Sequence, residues 1–479
     1  MNLALILLQT DKDFDKDTGL TSVSGPSRYF LCRLLCDECA LGPYTSVASY
    51  VKKYGVNDRV VSRAIEELVA AGIAEKTVVR DGRGVSRWAL RIRLDFREQL
   101  ATAGQVELTD TMANLALHVL TSDGGEARKG RKKWLTPYNR MLLAALLVRA
   151  DEAGAVYEVG GSHLRRVAGL SGDGFVSQLS KLQRLGYLRV RIGGVTGRYL
   201  FGRSAGAYFV NVGHPDFGGI AGYAYVLVRR ENWFDKTNKQ QAARALYLEA
   251  RTVQRAKVQE RRRNRSRGDE LERAMIHRWG GCQRPGGKPL HHFFSDEPVS
   301  QFSAYLQMLI CRYASLIVNT CLREGYCDSQ SRAGELQTKM RNDLESGFES
   351  ADGLESVLIV VTRLSIQKAM KAWEALCHDD ESRALAKSGM ACVILPPLDI
   401  YEPDVNTVVV LYSSDVPNLL RGHCSILTTT LKFSIERSHL NYGAPQDLGE
   451  ELSLDNEQAL KWRLRSVGKR YPKRGSSLV

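Results

Sequence analysis

Four groups of residues in the chain have types and spacings that could do chemistry. Cys32, Cys36 and Cys39 stand at the CxxxCxxC spacing with which thiolates hold an iron–sulfur cluster. Such thiolates must leave a loop together, whereas these fall in an apolar run with Leu34 and Leu35 between them. They read as buried core thiols. Gly202-Arg203-Ser204-Ala205-Gly206 has the GxSxG pattern of a nucleophile elbow, which works only between a strand and a helix. The strand-like Tyr208-Phe209-Val210 follows, so a turn is expected instead. Gly125 to Gly130 has the glycine spacing of a phosphate loop, but Arg131 and Lys132 occupy the places where Lys and then Ser or Thr must hold phosphate and magnesium. His277, Cys282, His291 and His292 lie close together at a spacing that fits no standard zinc module. No catalytic residue, metal or cofactor is assigned on these patterns, and an enzyme is not expected.

A different chemistry is carried by arginines. Arg59 and Arg63 are one helical turn apart with Ser62 beside them, and Arg80, Arg83 and Arg87 follow within a glycine-bearing stretch. Guanidinium groups so spaced suit phosphate oxygens and the acceptor edge of guanine, and the serine suits a short hydrogen bond. The elements that must position them are legible in Gly55 to Gly72, GVNDRVVSRAIEELVAAG, whose pattern returns 114 positions later as Gly169 to Gly186, GLSGDGFVSQLSKLQRLG. Val61, Ile65 and Leu68 match Phe175, Leu179 and Leu182 at i, i+4 and i+7, so each run buries one helix face. Asn57 and Ser171 are N-caps after the turn pairs Gly55-Val56 and Gly169-Leu170, and Gly72 and Gly186 stand where a helix ends in a positive-φ residue. Strand pairs are expected after each: Ala74 to Val79 with Val85 to Ile92 around the tip 80–84, and Leu188 to Ile192 with Arg198 to Phe201 around the tip 193–197.

Helix, glycine turn, helix and hairpin in this order resemble the bacterial winged-helix regulators, most closely the MarR-type and GntR-type helix-turn-helix pattern. The resemblance covers residues 27 to 92 and 136 to 212 and is one of pattern, not identity. It implies two tandem winged helices that bind double-stranded DNA. With Val61, Ile65 and Leu68 inward, Arg59, Ser62 and Arg63 would face a major groove, and Arg80, Arg83 and Arg87 would lie on the wing. In the second copy Ser177, Gln178, Lys181 and Arg198 are the matching candidates. That copy either reads DNA or has become a protein-contact domain.

Length and charge frame the rest. A chain of 479 residues calls for two to four domains, and its net charge of +14 favours a polyanionic partner. Between residues 225 and 290 there are 17 Lys or Arg against 7 Asp or Glu, a net +10. A long basic helix over Gln240 to Arg267, ending at Gly268, would put Arg261, Arg262, Arg263, Arg265 and Arg267 near its end as nonspecific nucleic-acid contacts. The expected fold class is mainly α with small β-wings: winged helix one at 27–95, a linker with one helix and a basic Gly-rich tail at 96–135, and winged helix two at 136–215. A basic helical connector at 225–290 and an α-rich domain at 298–479, a site for an oligomeric or protein partner, complete it. The apolar start MNLALILL has no basic flank and the run Phe302 to Leu322 is broken by Gln307, Arg312 and Asn319, so neither reads as a membrane segment. Ten cysteines without a compact framework fit reduced thiols in a cytoplasm. Three functions stay open: a transcriptional regulator, a plasmid or mobile-element replication initiator with two winged helices, and an assembly protein that binds nucleic acid nonspecifically.

Overall fold

In the computed structural model the described residues are 2–37, 46–80, 86–103, 109–122, 135–212, 214–217, 223–230, 241–263, 267–280, 288–296, 298–324, 333–345, 354–376, 391–397, 406–413 and 426–430. They are mainly helical with small sheets. None of their helices is long and apolar enough to cross a membrane. The described residues divide into two compact units, one of those up to 189 together with 210–217, the other of 190–209 and those from 223 to 430.

The first unit opens with α1 (Leu3–Leu7) and α2 (Lys12–Asp17), capped by the Asn2 and Asp11 side chains. Then come α3 (Gly25–Cys36), α4 (Val47–Tyr54), α5 (Asp58–Ala70), and the antiparallel strands β1 (Ala74–Arg80) and β2 (Ser86–Ile92). The chain continues through α6 (Leu94–Ala103), α7 (Asp110–Thr121), α8 (Pro137–Leu147), β3 (Ala155–Val156), α9 (Gly161–Val167), α10 (Gly172–Arg184) and β4 (Leu188–Ile192). Residues 1–26 are therefore more than a leader to the first copy: Leu5, Leu8 and Leu20 are buried, and α1 packs on α3 and α6. The region expected to hold one helix holds two, α6 and α7.

The two copies share a core. α3 packs on α8, the first helix of each, and α7 packs against both. Two buried arginines close the end of α7, where carbonyls have no intrahelical partners. Arg33 of α3 donates to Leu120 O and Thr121 O at 2.9 Å, and Arg140 of α8 donates to Val119 O at 3.0 Å and Ser122 O at 2.6 Å. The copies touch at backbone level as well. A Cβ on Gly169 would lie 2.4 Å from Gly25 N, and Gly169 itself holds φ +61°.

The second unit contains the distal part of the second hairpin, β5 (Val195–Thr196), β6 (Arg203–Ser204) and β7 (Ala207–Val210), the division falling inside β4 and at the last residue of β7. After β8 (Tyr223–Arg230) come α11 (Ala242–Arg263), α12 (Arg267–Trp279), α13 (Leu290–Phe293), α14 (Val299–Glu324), α15 (Ala333–Leu344) and α16 (Leu354–Leu376). The strands β9 (Ala391–Leu395), β10 (Asn406–Ser413) and β11 (Ile426–Thr430) join β8 in a sheet of order β11-β8-β10-β9. β8 lies antiparallel to β10, with Tyr223 opposite Ser413, and parallel to β11. Cys311, Ala314 and Val318 of α14 meet Ala369, Ala372 and Leu376 of α16 and Cys392 and Ile394 of β9 in a buried core.

Three sequence expectations change here. The basic run is two helices: α11 ends at Arg263, and Gly268, read as a stop, is the second residue of α12. The span 225–290 is not helical throughout, because it begins in β8, a strand paired with residues more than 170 positions away. In the second hairpin Arg198 to Phe201 are not a strand. The chain bends there, with Phe201 at φ +70°, and the return strand is β7. The last helix expected, near 455–467, lies outside the described residues.

Candidate nucleic-acid interface

The first copy builds its site from local rules. Gly55 ends α4 at φ +64°, a left-handed turn that glycine makes at no Cβ cost. Asn57 then caps α5, its side chain accepting from Val60 N at 2.8 Å. Val61, Ala64, Ile65 and Leu68 are buried, which turns Arg59, Ser62, Arg63 and Glu66 outward, all exposed. Gly72 closes the helix at φ +72° and leads into β1. Tyr50 of α4 packs edge-on to Phe30 of α3 and stacks on Trp88 of β2 at 6.4 Å, while Lys76 lies over the Trp88 ring at 4.9 Å. The hairpin is thereby tied to the helices by an aromatic stack.

The two arginines of α5 differ. Arg59 has no ion-pair partner among the described residues, so its guanidinium is available to a ligand. Arg63 Nε donates to Glu67 Oε1 at 2.6 Å. Glu67 in turn accepts from Ser24 N at 2.8 Å. Burial opposes ionisation of Glu67, yet hydrogen bonds from Ser24 and Arg63 prevail and hold its carboxyl down at about 2. Glu67 therefore links the Arg63 guanidinium to the backbone at the N-cap of α3. The i, i+4 spacing of Arg63 and Glu67 is the sequence signal that could have found this role. On the hairpin, Arg80 pairs across the strands with Ser86, and Arg87 with Val79; Arg83 lies outside the described residues.

The second copy repeats the frame and not the face. Ser171 caps α10, accepting from Gly174 N at 3.3 Å, and Phe175, Leu179 and Leu182 are buried. Ser177 is exposed as expected, beside Val176, which is 48% exposed. Gln178 is turned inward: its Oε1 accepts from Asn139 Nδ2 at 2.7 Å, a partner in the capping box of α8. Lys181 is half-buried, and burial followed by the charge of Arg184 holds it below the usual lysine range. The hairpin beyond β4 is anchored in the second unit. Phe201 is buried against Phe302 and Tyr305, Phe201 N donates to Leu344 O at 2.9 Å, and Gln301 Nε2 donates to Gly194 O at 2.7 Å. Arg198 is exposed on this loop and lies over the Tyr199 ring at 5.4 Å.

In the second unit α11 and α12 form a helical hairpin, pinned on one side by a buried Glu272 that receives Lys257 and His291 Nδ1, the latter at 3.0 Å. Arg261, Arg262 and Arg263 fall in the last turn of α11, Arg265 lies outside the described residues, and Arg267 opens α12 exposed. Among the described residues, no group of three or more His, Cys, Asp or Glu side chains gathers that could hold a metal ion. Cys32 is buried in α3 and its thiol is pushed up by that burial, while Cys39, Cys282 and residues 125–132 lie outside the described residues. Ser204 is in the short strand β6, with its hydroxyl donating to Phe201 O at 2.6 Å, which is not the setting of a nucleophile. His291 is engaged by Glu272 and His292 packs on Tyr199. Among known proteins no family model, no curated sequence and no solved structure matches the chain.

Proposed function

We propose that the chain is a sequence-specific double-stranded DNA-binding protein with two winged helix-turn-helix modules, and that it serves transcriptional regulation. The observation that carries the reading is the outward face of α5. Arg59, Ser62 and Arg63 are exposed together, opposite the buried Val61, Ile65 and Leu68, on a helix entered through a positive-φ glycine and followed by a hairpin. The net charge of +14 supplies the sequence-independent attraction to phosphate. The arginines at the α11–α12 junction extend that attraction in the second unit, whose helices and sheet we assign to assembly or partner contact. The buried thiols of Cys32, Cys311, Cys321 and Cys392, none of them in a disulfide, suit a reducing cytoplasm.

Selection from random duplex DNA followed by footprinting tests the reading. A recovered motif protected on one major-groove face, with affinity that falls steeply as salt rises, is the expected result. Equal affinity for every sequence would instead favour nonspecific binding by an assembly protein. A second reading, replication initiation, is favoured by the shared core of α3 and α8, which suits repeated sites at a set distance. It requires melting of adjacent A·T-rich DNA, and permanganate reactivity beside the protected site separates it from regulation.

A further inference from the structure

The two copies meet around a carboxylate that presents nothing to DNA. Asp15 of α2 is fully buried. Its Oδ2 accepts a hydrogen bond from Arg28 NH1 at 2.9 Å and forms an ion pair with Arg166 NH1 at 2.7 Å without hydrogen-bond geometry, and its Oδ1 accepts the Thr10 hydroxyl at 3.2 Å. Arg28 belongs to α3 of the first copy and Arg166 to α9 of the second. Each guanidinium is held further by carbonyls, Arg28 Nε by Val23 O at 3.1 Å and Arg166 NH2 by Thr10 O. Nearby, Gln9 Nε2 donates to Val148 O at 2.9 Å, and Arg149 NH2 donates to Gln9 O at 3.1 Å.

A buried carboxylate shared by two guanidiniums is selective about geometry. Any other placement of the copies would leave Asp15 or an arginine buried without its partner, which is strongly unfavourable, whereas an apolar contact could slide. The backbone contact of Gly25 with Gly169 removes the remaining freedom, because no side chain cushions it.

We infer that Asp15 is a positioning residue that sets the separation and orientation of α5 and α10, so that the first unit reads two half-sites at one spacing. The inference rests on the reading of both helices as DNA-facing. Distance between half-sites then becomes part of the recognised sequence, as it is wherever two reading helices are rigidly joined.

The test uses the full chain and three duplexes: the selected site, the same site with about five base pairs, half a helical turn, inserted between its halves, and a single half-site. Wild type should bind the inserted duplex at least about tenfold more weakly than the selected one. Arg166→Gln leaves Asp15 with Arg28 and Thr10 and so cuts only one side of the clasp. It should keep the single half-site affinity within about twofold and lose most of the spacing preference, with Asp15→Asn behaving alike and Arg166→Lys recovering part of it. If Asp15→Asn does not fold, the two Arg166 variants decide. A spacing preference undiminished in Arg166→Gln overturns the inference. So does a wild type indifferent to the insertion, or a selected site with one half only, although either would leave α5 as a reader intact. A wild type without sequence preference overturns the reading of α5 itself.

Discussion

The two copies have the same skeleton and opposite surroundings. In the first, the outward face of α5 is exposed and β1–β2 is tied to its own module through Trp88 and Tyr50. In the second, α10 has one outward candidate turned in to Asn139 and another half-buried, and the far end of its hairpin carries Phe201 into an apolar contact with α14. Equal sequence patterns therefore stand in unequal surroundings. The periodicity that builds a helix-turn-helix is set by what faces inward, and it leaves the outward face free to become a reading surface or a docking surface.

The largest expected effect lies in the second hairpin. Phe201 is 3% exposed, so Phe201→Ala should destabilise the second unit by about 3 to 5 kcal/mol. Alanine shares the left-handed backbone of this position, so the loss isolates the ring. On the first hairpin Val78 is 73% exposed, and Val78→Ala should change stability by less than about 0.5 kcal/mol. Urea denaturation of both variants checks this. Equal small effects would mean that the second hairpin is as free as the first.

The turn glycines come next. Gly55 and Gly169 both hold positive φ, but nothing lies within 4 Å of a Cβ on Gly55, while one on Gly169 would strike the Gly25 backbone. Gly55→Ala should cost about 1 to 2 kcal/mol for backbone strain alone. Gly169→Ala should cost roughly 2 to 5 kcal/mol, since overpacking between two backbones adds to the strain. Thermal melting compares the two, and matching losses would show that the copies are not wedged together at this point.

What could be read in the sequence follows from the range over which each signal acts. Caps, glycine ends and buried stripes are local, and Asn57, Ser171, Gly72 and Gly186 take the roles their spacing implies. The face of α5 was legible for the same reason. Asp15 was not, because in the polar run KDFDKD nothing marks one aspartate for burial, and its partners Arg28 and Arg166 lie 13 and 151 residues away. The inward turn of Gln178 depends on Asn139, 39 residues away. β8 was hidden among basic residues because its identity as a strand depends on β10 and β11 beside it.

In binding, the asymmetry should appear as unequal losses. Arg59→Ala and Arg63→Ala should each weaken DNA binding by roughly 1 to 3 kcal/mol if they contact bases or phosphate. Arg63→Ala should be accompanied by a weaker salt response. Ser177→Ala and Lys181→Ala on α10 should each cost less than either. Fluorescence anisotropy on the selected duplex at two salt concentrations ranks them. Larger losses in α10 would reverse the assignment of the principal reader.

The smallest effect separates the copies by pH. At matched positions, Arg166 of α9 is in the Asp15 clasp and Lys52 of α4 is exposed, and beside Arg166 lies His163. Arg166 NH2 donates to His163 Nδ1 at 3.0 Å, so the ring carries its proton on Nε2, which is buried without a partner among the described residues. Burial, then Arg149 and Arg166, push His163 down to about 4, against a weaker pull upward from Asp15. The unfolded chain therefore takes up this proton first. The stabilisation from the neutral ring is complete above pH 6.5 and is lost as pH falls from there toward 4. Because the ring is only half-buried, solvent screening reduces the effect to on the order of 1 kcal/mol. Glu67 of the first copy, also held down, contributes stability that is complete above 4.5 and lost toward 2, a lower window. Denaturation midpoints at pH 7 and 4.5 should thus fall in wild type and fall less in His163→Asn, while Glu67→Gln should leave that difference unchanged. A pH response untouched by His163→Asn would place the titrating group outside the clasp and remove this distinction between the copies.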